Sequence, residues 1–339
     1  MSGQPAYLTR WHASQQELEQ LETFNRKLAR LPRLKLFNRW VLRLTQGLLR
    51  ASQLGGARRL RQQGLRVETR LVSMGEVAVP VRIIRPPTPA KGVVLDIHGG
   101  AWVIGNAQMN DKFNSAMVTA CDVIVVSVDY RLAVSAPIEA LIEDCLCAAR
   151  WLLDGANSEF ADLPVTVVGE SAGGHLAVAT LLKLKRWPDL FARVNGALLY
   201  WGVYDLTGTP SVRAAPSDTL LLDGPGMVGA MRALTPELTD EQRSAPPLSP
   251  LHGDFSGFPP ALMFAGELDP LLDDSALLAE RWSNHAAVEF QLLPSTPHGV
   301  IHFPVALGSA VLAHAHRWIA ATNDAFHRPD NALAAHDPV

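Results

Sequence analysis

The amino-acid sequence predicts an α/β protein with a mostly parallel β-sheet covered by helices. Short, continuously apolar runs recur after residue 92, and segments with helical periodicity separate most of them. Strands that are apolar on both sides are buried on both sides, which is typical of parallel sheets. The intervening helices supply the crossover connections that parallel strands need.

Eight strands and five core helices are expected from this pattern. Residues 67–72 and 77–84 alternate in polarity and predict an antiparallel pair of edge strands, where Pro80 is tolerated because an edge can spare a donor. The remaining strands are expected at 93–97, 123–126, 165–168, 197–199, 261–264 and 290–293, and the helices near 107–121, 137–154, 172–186, 273–285 and 305–322.

Two regions interrupt this alternation. Residues 14–62 have helical periodicity, and residues 205–251 are rich in Pro and Gly with short helical pieces. We expect both to form a helical cap over the sheet. The expected division is an N-terminal cap segment (1–65), a core in two parts (66–204 and 251–323), a cap insertion (205–250) and a flexible tail (324–339).

Length and composition allow a large buried core and give no sign of a highly charged partner. The chain has 339 residues, 48% hydrophobic, and a formal net charge of −3, so no nucleic-acid partner is expected. Neither a secretory signal nor a membrane span is recognisable, and a cytoplasmic location is expected. Cys121, Cys145 and Cys147 are expected to be reduced, buried thiols.

The N-terminal region is strongly basic. Between residues 23 and 67 there are twelve Lys or Arg and no Asp or Glu. The preferred interpretation is a solvated face of the cap, and peripheral contact with an anionic membrane is the alternative. The oligomeric state stays open, with a homodimer as one alternative.

The strongest chemical signal is residues 169–173, Gly-Glu-Ser-Ala-Gly, between a predicted strand and a predicted helix. A sharp turn there projects Ser171 above the sheet and aims the helix dipole at it, which is typical of a nucleophile. A second segment, 98–102, reads His-Gly-Gly-Ala-Trp and follows another strand. Backbone N–H groups of Gly99, Gly100, Ala101 and Ala172 are expected to form an oxyanion hole.

A hydroxyl nucleophile needs a base and an acid that orients the base. Asp269 and His298 follow the last two predicted strands, in the chain order Ser, Asp, His. The alternatives for the acid are Glu267, Asp273 and Asp274, of which the last two are expected to cap the next helix. The alternative for the base is His302.

These segments identify the chain as similar to the bacterial hormone-sensitive-lipase-like esterases, a branch of the α/β hydrolases. The matching segments, in the family's order, are 98–102, 129–133, 169–174, 269–271 and 298–299. The resemblance implies the α/β-hydrolase fold, a helical cap, the triad Ser171, Asp269 and His298, and an oxyanion hole on Gly100, Ala101 and Ala172 beside Gly99. It also implies small or medium acyl esters as the substrate class.

The chain departs from the family in two places. Ala101 stands where many members have a third glycine, so its Cβ is expected either to narrow the acyl side or to alter the geometry of the loop. The segment after Ala133 also differs, which we expect to be structural. Arg131 is expected to pair with Asp144, and His175 to be a hydrogen-bonded core histidine.

The function predicted is a serine carboxylesterase for short- to medium-chain acyl esters, working through an acyl-enzyme. Trp102, Tyr200 and Trp201 follow strand ends and are candidates for the pocket wall, with ordinary packing as the alternative. No metal or other cofactor is expected. The alternative function is an amide, formamide or lactone hydrolase, or a metabolite deacetylase, with the same triad. A lesser alternative is a non-catalytic receptor on the same scaffold.

Overall fold

The computed structural model describes residues 5–31, 33, 39–155 and 159–327. Within these residues, nine strands form one sheet. In chain order they are β1 (Leu8–Arg10), β2 (Arg66–Met74), β3 (Val77–Arg85), β4 (Gly92–Ile97), β5 (Val123–Val128), β6 (Val165–Glu170), β7 (Val194–Tyr200), β8 (Ala261–Gly266) and β9 (Val288–Leu293).

The strand order across the sheet is β1-β9-β8-β7-β6-β4-β5-β3-β2. Strands pair in parallel except at β2–β3 and β3–β5, which are antiparallel. The sheet is therefore mostly parallel and has its antiparallel part at one end, as predicted. The carboxyl ends of β4, β6, β8 and β9 lie along one edge, where the loops that follow them meet.

Helices cover the sheet and make up most of the remainder. They are α1 (Gln15–Leu28), α2 (Arg39–Ser52), α3 (Gly56–Gln62), α4 (Asp111–Cys121), α5 (Ile138–Leu153), α6 (Ala172–Leu184), α7 (Pro188–Phe191), α8 (Pro210–Arg213), α9 (Met227–Leu234), α10 (Asp240–Ser244), α11 (Leu272–Ser283) and α12 (Ala306–Phe326). Among these helices, none combines the length and the apolar character that a bilayer crossing requires.

The apolar runs bury side chains on both faces of the sheet. In β4, Val93, Leu95 and Ile97 enter the core layer that contains α5, α6 and α11, whereas Val94 enters the layer that contains α4 and α12. This two-sided burial explains why the runs are continuously apolar. The three cysteines are buried and unbonded to one another, as predicted.

Three expectations need correction. In the part of the chain that the structure describes, the sheet has nine strands rather than eight. The additional strand is β1, which pairs in parallel with β9 (Leu8 opposite Phe290) and whose three residues are too few to show a pattern. Of the antiparallel pair expected at the edge, only β2 is an edge strand, because β3 also pairs with β5. Residues 324–326, which were expected to belong to the tail, form the end of α12, which continues to Phe326; residues 328–339 lie outside the described part.

Asp273 and Asp274 do not cap α11, contrary to expectation. The helix begins at Leu272 without a side-chain cap. Instead, the fully buried Asp274 accepts hydrogen bonds from the backbone N–H groups of Tyr204 (2.6 Å) and Asp205 (3.1 Å) and from the Thr209 hydroxyl (2.5 Å). The carboxylate thus fixes the start of the 205–250 insertion to the core.

We expect Asp274→Ala to lower the free energy of unfolding by about 3 kcal/mol, because three buried donors lose their acceptor. Asp273→Ala is the matched control. That carboxylate accepts from Ser211 at a partly exposed position, so the expected loss is about 1 kcal/mol or less. Urea denaturation measures both values, and equal losses would contradict the anchoring role of Asp274.

Candidate active site

Ser171 lies in the sharp turn between β6 and α6. Its backbone has φ 53° and ψ −120°, a conformation that costs a non-glycine residue of the order of 1–3 kcal/mol. The flanking glycines make the turn sterically possible. A Cβ at Gly169 would lie 2.5 Å from the Gly173 carbonyl oxygen, and a Cβ at Gly173 would lie 2.0 Å from the Ile97 carbonyl oxygen. The Gly-x-Ser-x-Gly spacing is therefore a packing requirement here.

Ser171, His298 and Asp269 form a continuous chain of close polar contacts. His298 Nε2 lies 3.0 Å from Ser171 Oγ, and His298 Nδ1 lies 2.8 Å from Asp269 Oδ2. Because a carboxylate only accepts, Nδ1 carries the ring proton and Nε2 is left to accept from the serine hydroxyl. Asp269 is 3% exposed, and its other oxygen accepts from the Leu271 N–H at 2.9 Å.

The other acids and the other histidine considered from the sequence are engaged elsewhere. Glu267 pairs with Arg10 at 2.9 Å, and Asp273 and Asp274 bind the insertion. His302 Nε2 lies 2.6 Å from Glu170 Oε1 rather than near Ser171. Geometry therefore favours Asp269 and His298 over these alternatives.

The loop after β4 lies beside Ser171. Gly100 has φ 109°, and a Cβ there would lie 2.0 Å from the Ile104 carbonyl oxygen. Ala101 also has a positive φ, 52°. Among the described residues, the N–H groups of Gly100 and Ala101 have no protein acceptor, and Ala172 is the first residue of α6, where N–H groups lack intrahelical acceptors.

Gly99 has a different part from its neighbours. A Cβ at this position would lie 3.0 Å from the Glu170 carbonyl oxygen and 3.4 Å from Ser171 Cβ. The absence of a side chain lets the loop approach the serine turn. Gly99 therefore sets the distance between the two segments that carry the N–H groups.

Buried polar groups hold the loop after β4 in place. His98 is buried, and its ring stacks on Tyr130 with centroids 4.2 Å apart. The Tyr130 hydroxyl donates to the His98 carbonyl oxygen at 2.7 Å. Burial lowers the pKa of His98 to about 4, so the ring is neutral near pH 7. Sequence reasoning gave Tyr130 no role, although it lies in one of the family segments.

A small apolar cavity of about 70 Å³ opens at Ser171. Ala101 and Trp102 form one wall, so Trp102 lies where the sequence predicted. The rest of the wall comes mainly from the insertion and the residues just before it. These residues are Val203, Leu222, Asp223, Gly226, Met227, Ala230, Met231 and Leu271.

Tyr200 and Trp201 do not line this cavity, contrary to expectation. Tyr200 stacks on Phe264 in the core with ring centroids 5.4 Å apart. Trp201 is fully buried, and its indole N–H donates to Glu170 at 3.3 Å. Its ring also packs edge-on against His298, at 6.1 Å between centroids. Both side chains therefore support the site from behind.

Two further sequence expectations agree with the structure. His175 is fully buried, accepts from the Trp102 indole N–H at 3.2 Å and donates from Nε2 to the Leu248 carbonyl oxygen at 2.7 Å. This pair of contacts fixes the orientation of Trp102 in the cavity wall. Arg131 makes a two-pronged ion pair with Asp144, with both contacts at 2.8 Å.

A much larger groove of about 980 Å³ lies between α1, residues 211–220 and residues 267–272. Asp269 forms part of its wall, but Ser171 and His298 do not. The small cavity is therefore the place where a bound group would meet the serine oxygen, despite the greater size of the groove.

Glu170, which is buried, and His302, which is partly exposed, form an ion pair that the sequence did not reveal. Burial alone would raise the pKa of Glu170, but the charge and hydrogen bond of His302 outweigh it and the pKa is lowered. Burial alone would lower the pKa of His302, and Glu170 raises it above its ordinary value. Because Glu170 directly precedes Ser171 and also binds Trp201, this pair braces the turn.

The comparisons with known proteins place this geometry in a family. A family model described as α/β-hydrolase fold matches residues 94–302, which include all five motif segments. The chain belongs to this family. Within it, the chain is a member of the hormone-sensitive-lipase-like branch, as the motifs indicated.

Named relatives and solved structures agree with the assignment. The carboxylesterase NlhH of Mycobacterium tuberculosis strain H37Rv is 33% identical over 275 residues, which cover 78% of this chain and 84% of that protein. The structure of the esterase LipW from Mycobacterium marinum superposes with a TM-score of 0.78 at 24% identity, covering 90% of this chain and 96% of that one. A bacterial heroin esterase has a TM-score of 0.77 at 25% identity, with coverages of 90% and 97%.

We expect Glu170→Gln to destabilise the protein by about 1–3 kcal/mol, most strongly between pH 4.5 and 6.5. The lowered pKa of Glu170 gives stabilisation that is present above pH 4.5 and is lost as the pH falls through the pKa of Glu170 in the folded protein. The raised pKa of His302 gives stabilisation that is present below pH 6.5 and is lost as the pH rises through the pKa of His302 in the folded protein.

Denaturation of both proteins at about pH 5.5 and about pH 9 measures this difference. Glu267→Gln, which breaks a partly exposed ion pair with Arg10, is the control. A destabilisation of Glu170→Gln that is the same at both pH values would show that the ion pair is not its cause.

Proposed function

We propose that this chain hydrolyses carboxylic esters with Ser171 as the nucleophile, His298 as the base and Asp269 as the orienting acid. The observation that carries the proposal is the unbroken polar chain from Asp269 through His298 to Ser171 at the wall of an apolar cavity. A serine hydroxyl in water is a poor nucleophile, and this arrangement supplies the two partners that activate it. The relative NlhH is named a carboxylesterase, which supports the ester bond as the target.

In the acylation step, Ser171 Oγ attacks the ester carbonyl carbon while His298 Nε2 takes the hydroxyl proton. The resulting imidazolium is stabilised by Asp269, 2.8 Å away and nearly excluded from water. The tetrahedral intermediate then collapses, His298 gives its proton to the leaving alkoxide, and the alcohol departs. Ser171 is left as an acyl ester.

In the deacylation step, a water molecule repeats the attack. His298 removes a proton from the water, the hydroxyl attacks the acyl carbon, and the proton passes to Ser171 Oγ as the acid leaves. The two halves use the same groups, so the enzyme returns to its starting state. No metal or other cofactor enters either step of the proposal.

The oxyanion of both intermediates is proposed to bind the N–H groups of Gly100, Ala101 and Ala172. The first two have no protein acceptor in the described residues, and the third begins α6, whose positive dipole end faces the serine. Gly99 contributes by its close packing against the serine turn. Removal of one such donor typically costs about 100- to 1,000-fold in turnover.

The shape of the cavity supports short acyl groups. Its volume of about 70 Å³ is well below the roughly 300–1,000 Å³ of pockets for drug-sized ligands. Ala101 adds a methyl group to its wall, and the long side chains of Met227 and Met231 also line it. We therefore propose a preference for acetyl to butyryl esters over octanoyl esters.

We expect Ser171→Ala and His298→Ala each to lower kcat/KM for p-nitrophenyl acetate by at least about 10,000-fold, because each removes a member of the proton-transfer chain. His302→Ala is the matched control; it removes the brace behind the turn but not the base, so the expected loss is far smaller. Steady-state kinetics on all four proteins measure this, and a larger loss in His302→Ala than in His298→Ala would exchange their roles.

A substrate series with the wild-type protein then tests which type of bond is hydrolysed and which acyl chain length is preferred. Acetyl, butyryl and octanoyl p-nitrophenyl esters are compared with the matched p-nitroacetanilide. A kcat/KM on the anilide as high as on the acetate ester would favour the amide-hydrolase alternative. Activity that is unchanged in Ser171→Ala would remove the serine mechanism altogether.

A further inference from the structure

The helix α2 has two contrasting faces. The face turned to the protein carries the buried Leu42 and Gln46, and Gln53 follows directly after the helix. Both glutamines bind the rest of the chain. The opposite face carries large apolar side chains that are exposed to solvent. Their exposed fractions are 76% for Trp40, 46% for Val41, 66% for Leu44 and 63% for Leu48.

These apolar residues recur at the spacing that places them on one side of a helix, in a stripe about 100° wide. A surface helix of a globular protein normally turns such a stripe towards its own core. Here the stripe points away from it, and Leu54, 75% exposed just after the helix, extends it. The outward face of α2 is therefore built for an apolar environment outside the described chain.

Positive charge lies beside this stripe. Arg43 and Arg50 flank it on α2, and Arg58, Arg59 and Arg61 follow on α3, all of them exposed. In the described part of the chain, none of these five arginines forms an ion pair with a carboxylate. The wider segment 23–67 has twelve basic residues and no acidic one, in a protein whose net charge is −3.

We propose that α2 binds the surface of an anionic phospholipid bilayer, with Trp40, Leu44 and Leu48 in the interfacial region. An amphipathic helix with an apolar face and a basic flank lies in the plane of such a surface. Apolar burial and attraction to the anionic headgroups add in that position. Trp40 suits the headgroup level, since its ring is amphipathic.

A second copy of the chain is the competing occupant of this face. In a two-fold symmetric dimer, the same surface meets itself, so the arginines that flank one stripe would approach those that flank the other. The segment 23–67 offers no carboxylate to separate them. Like charges opposed across an interface are unfavourable, whereas anionic headgroups neutralise them. Charge complementarity therefore favours the bilayer.

The inward face of α2 connects this surface to the loop beside Ser171. The Gln46 side-chain amide donates to the Gly105 carbonyl oxygen and accepts from the Gly105 N–H, both at 2.9 Å. Gln53 and Asn106 exchange a second pair of hydrogen bonds at 2.8 Å. The helix thus lies between the bilayer and the loop that begins at Gly99, and bilayer binding places the active site next to esters dissolved in the membrane surface.

Vesicle flotation of the full-length protein tests the proposal. The vesicles are phosphatidylcholine alone or phosphatidylcholine with about 30% phosphatidylglycerol, at low and high NaCl. We expect binding to the anionic vesicles that weakens at high salt, and little binding to the neutral ones. Leu44→Ser/Leu48→Ser is expected to lower the partition coefficient by roughly tenfold or more. Leu71→Ser, which removes an equally exposed leucine (73%) on β2, is expected to stay within about twofold.

Two further measurements make each outcome decisive. Activity on soluble p-nitrophenyl acetate verifies that the Leu44→Ser/Leu48→Ser protein is folded. The Ser171→Ala protein is expected to bind vesicles as the wild type does, so failure of the ester proposal leaves this one standing. Absence of vesicle binding, equal binding to neutral vesicles, or an equal loss in Leu71→Ser would overturn the proposal. Sedimentation that shows self-association abolished by Leu44→Ser/Leu48→Ser, without vesicle binding, would assign the face to a second copy.

Discussion

Ser171 has a backbone conformation that L-amino acids avoid, and the active site depends on the surrounding structure that stabilises this turn. Strand β6 ends directly before Ser171, and α6 begins directly after it. The glycines on both sides lack the side chains that would collide with the neighbouring backbone. Strands β8 and β9 end at the same edge of the sheet, and the loops that follow them place Asp269 and His298 next to the serine. Glu170 and His302 brace the turn from behind. Rigid packing around a strained residue keeps its oxygen in place without further reorganisation.

The sequence predicts well those features that leave a periodic or local signal. Strands buried on both sides give apolar runs, and the positions of all six core strands follow from them. The serine turn is predictable because steric limits restrict which residues can flank it, and the chain order of acid and base follows from the loops that end at one edge. Ala101, Trp102 and Ala172 could also be placed, since they are adjacent in sequence to these turns.

Features that depend on contacts between residues far apart in the sequence left no such signal. β1 is three residues long and is defined only by its partner β9. Tyr200 and Trp201 follow a strand end like true pocket residues, but their rings turn into the core and towards Glu170. Asp274 has the sequence position of a helix cap, yet its carboxylate binds the insertion. In each case, a contact with residues far away in the sequence decided the outcome.

The most direct test of the central claim is covalent labelling of the wild-type protein with a fluorophosphonate. This reagent phosphonylates a serine only when a base has activated the hydroxyl and an oxyanion site stabilises the adduct. Mass spectrometry of the digested protein is expected to place a single adduct on Ser171, with none formed in the His298→Ala protein. Labelling of another residue, or labelling of Ser171 that is equally fast without His298, would contradict the account.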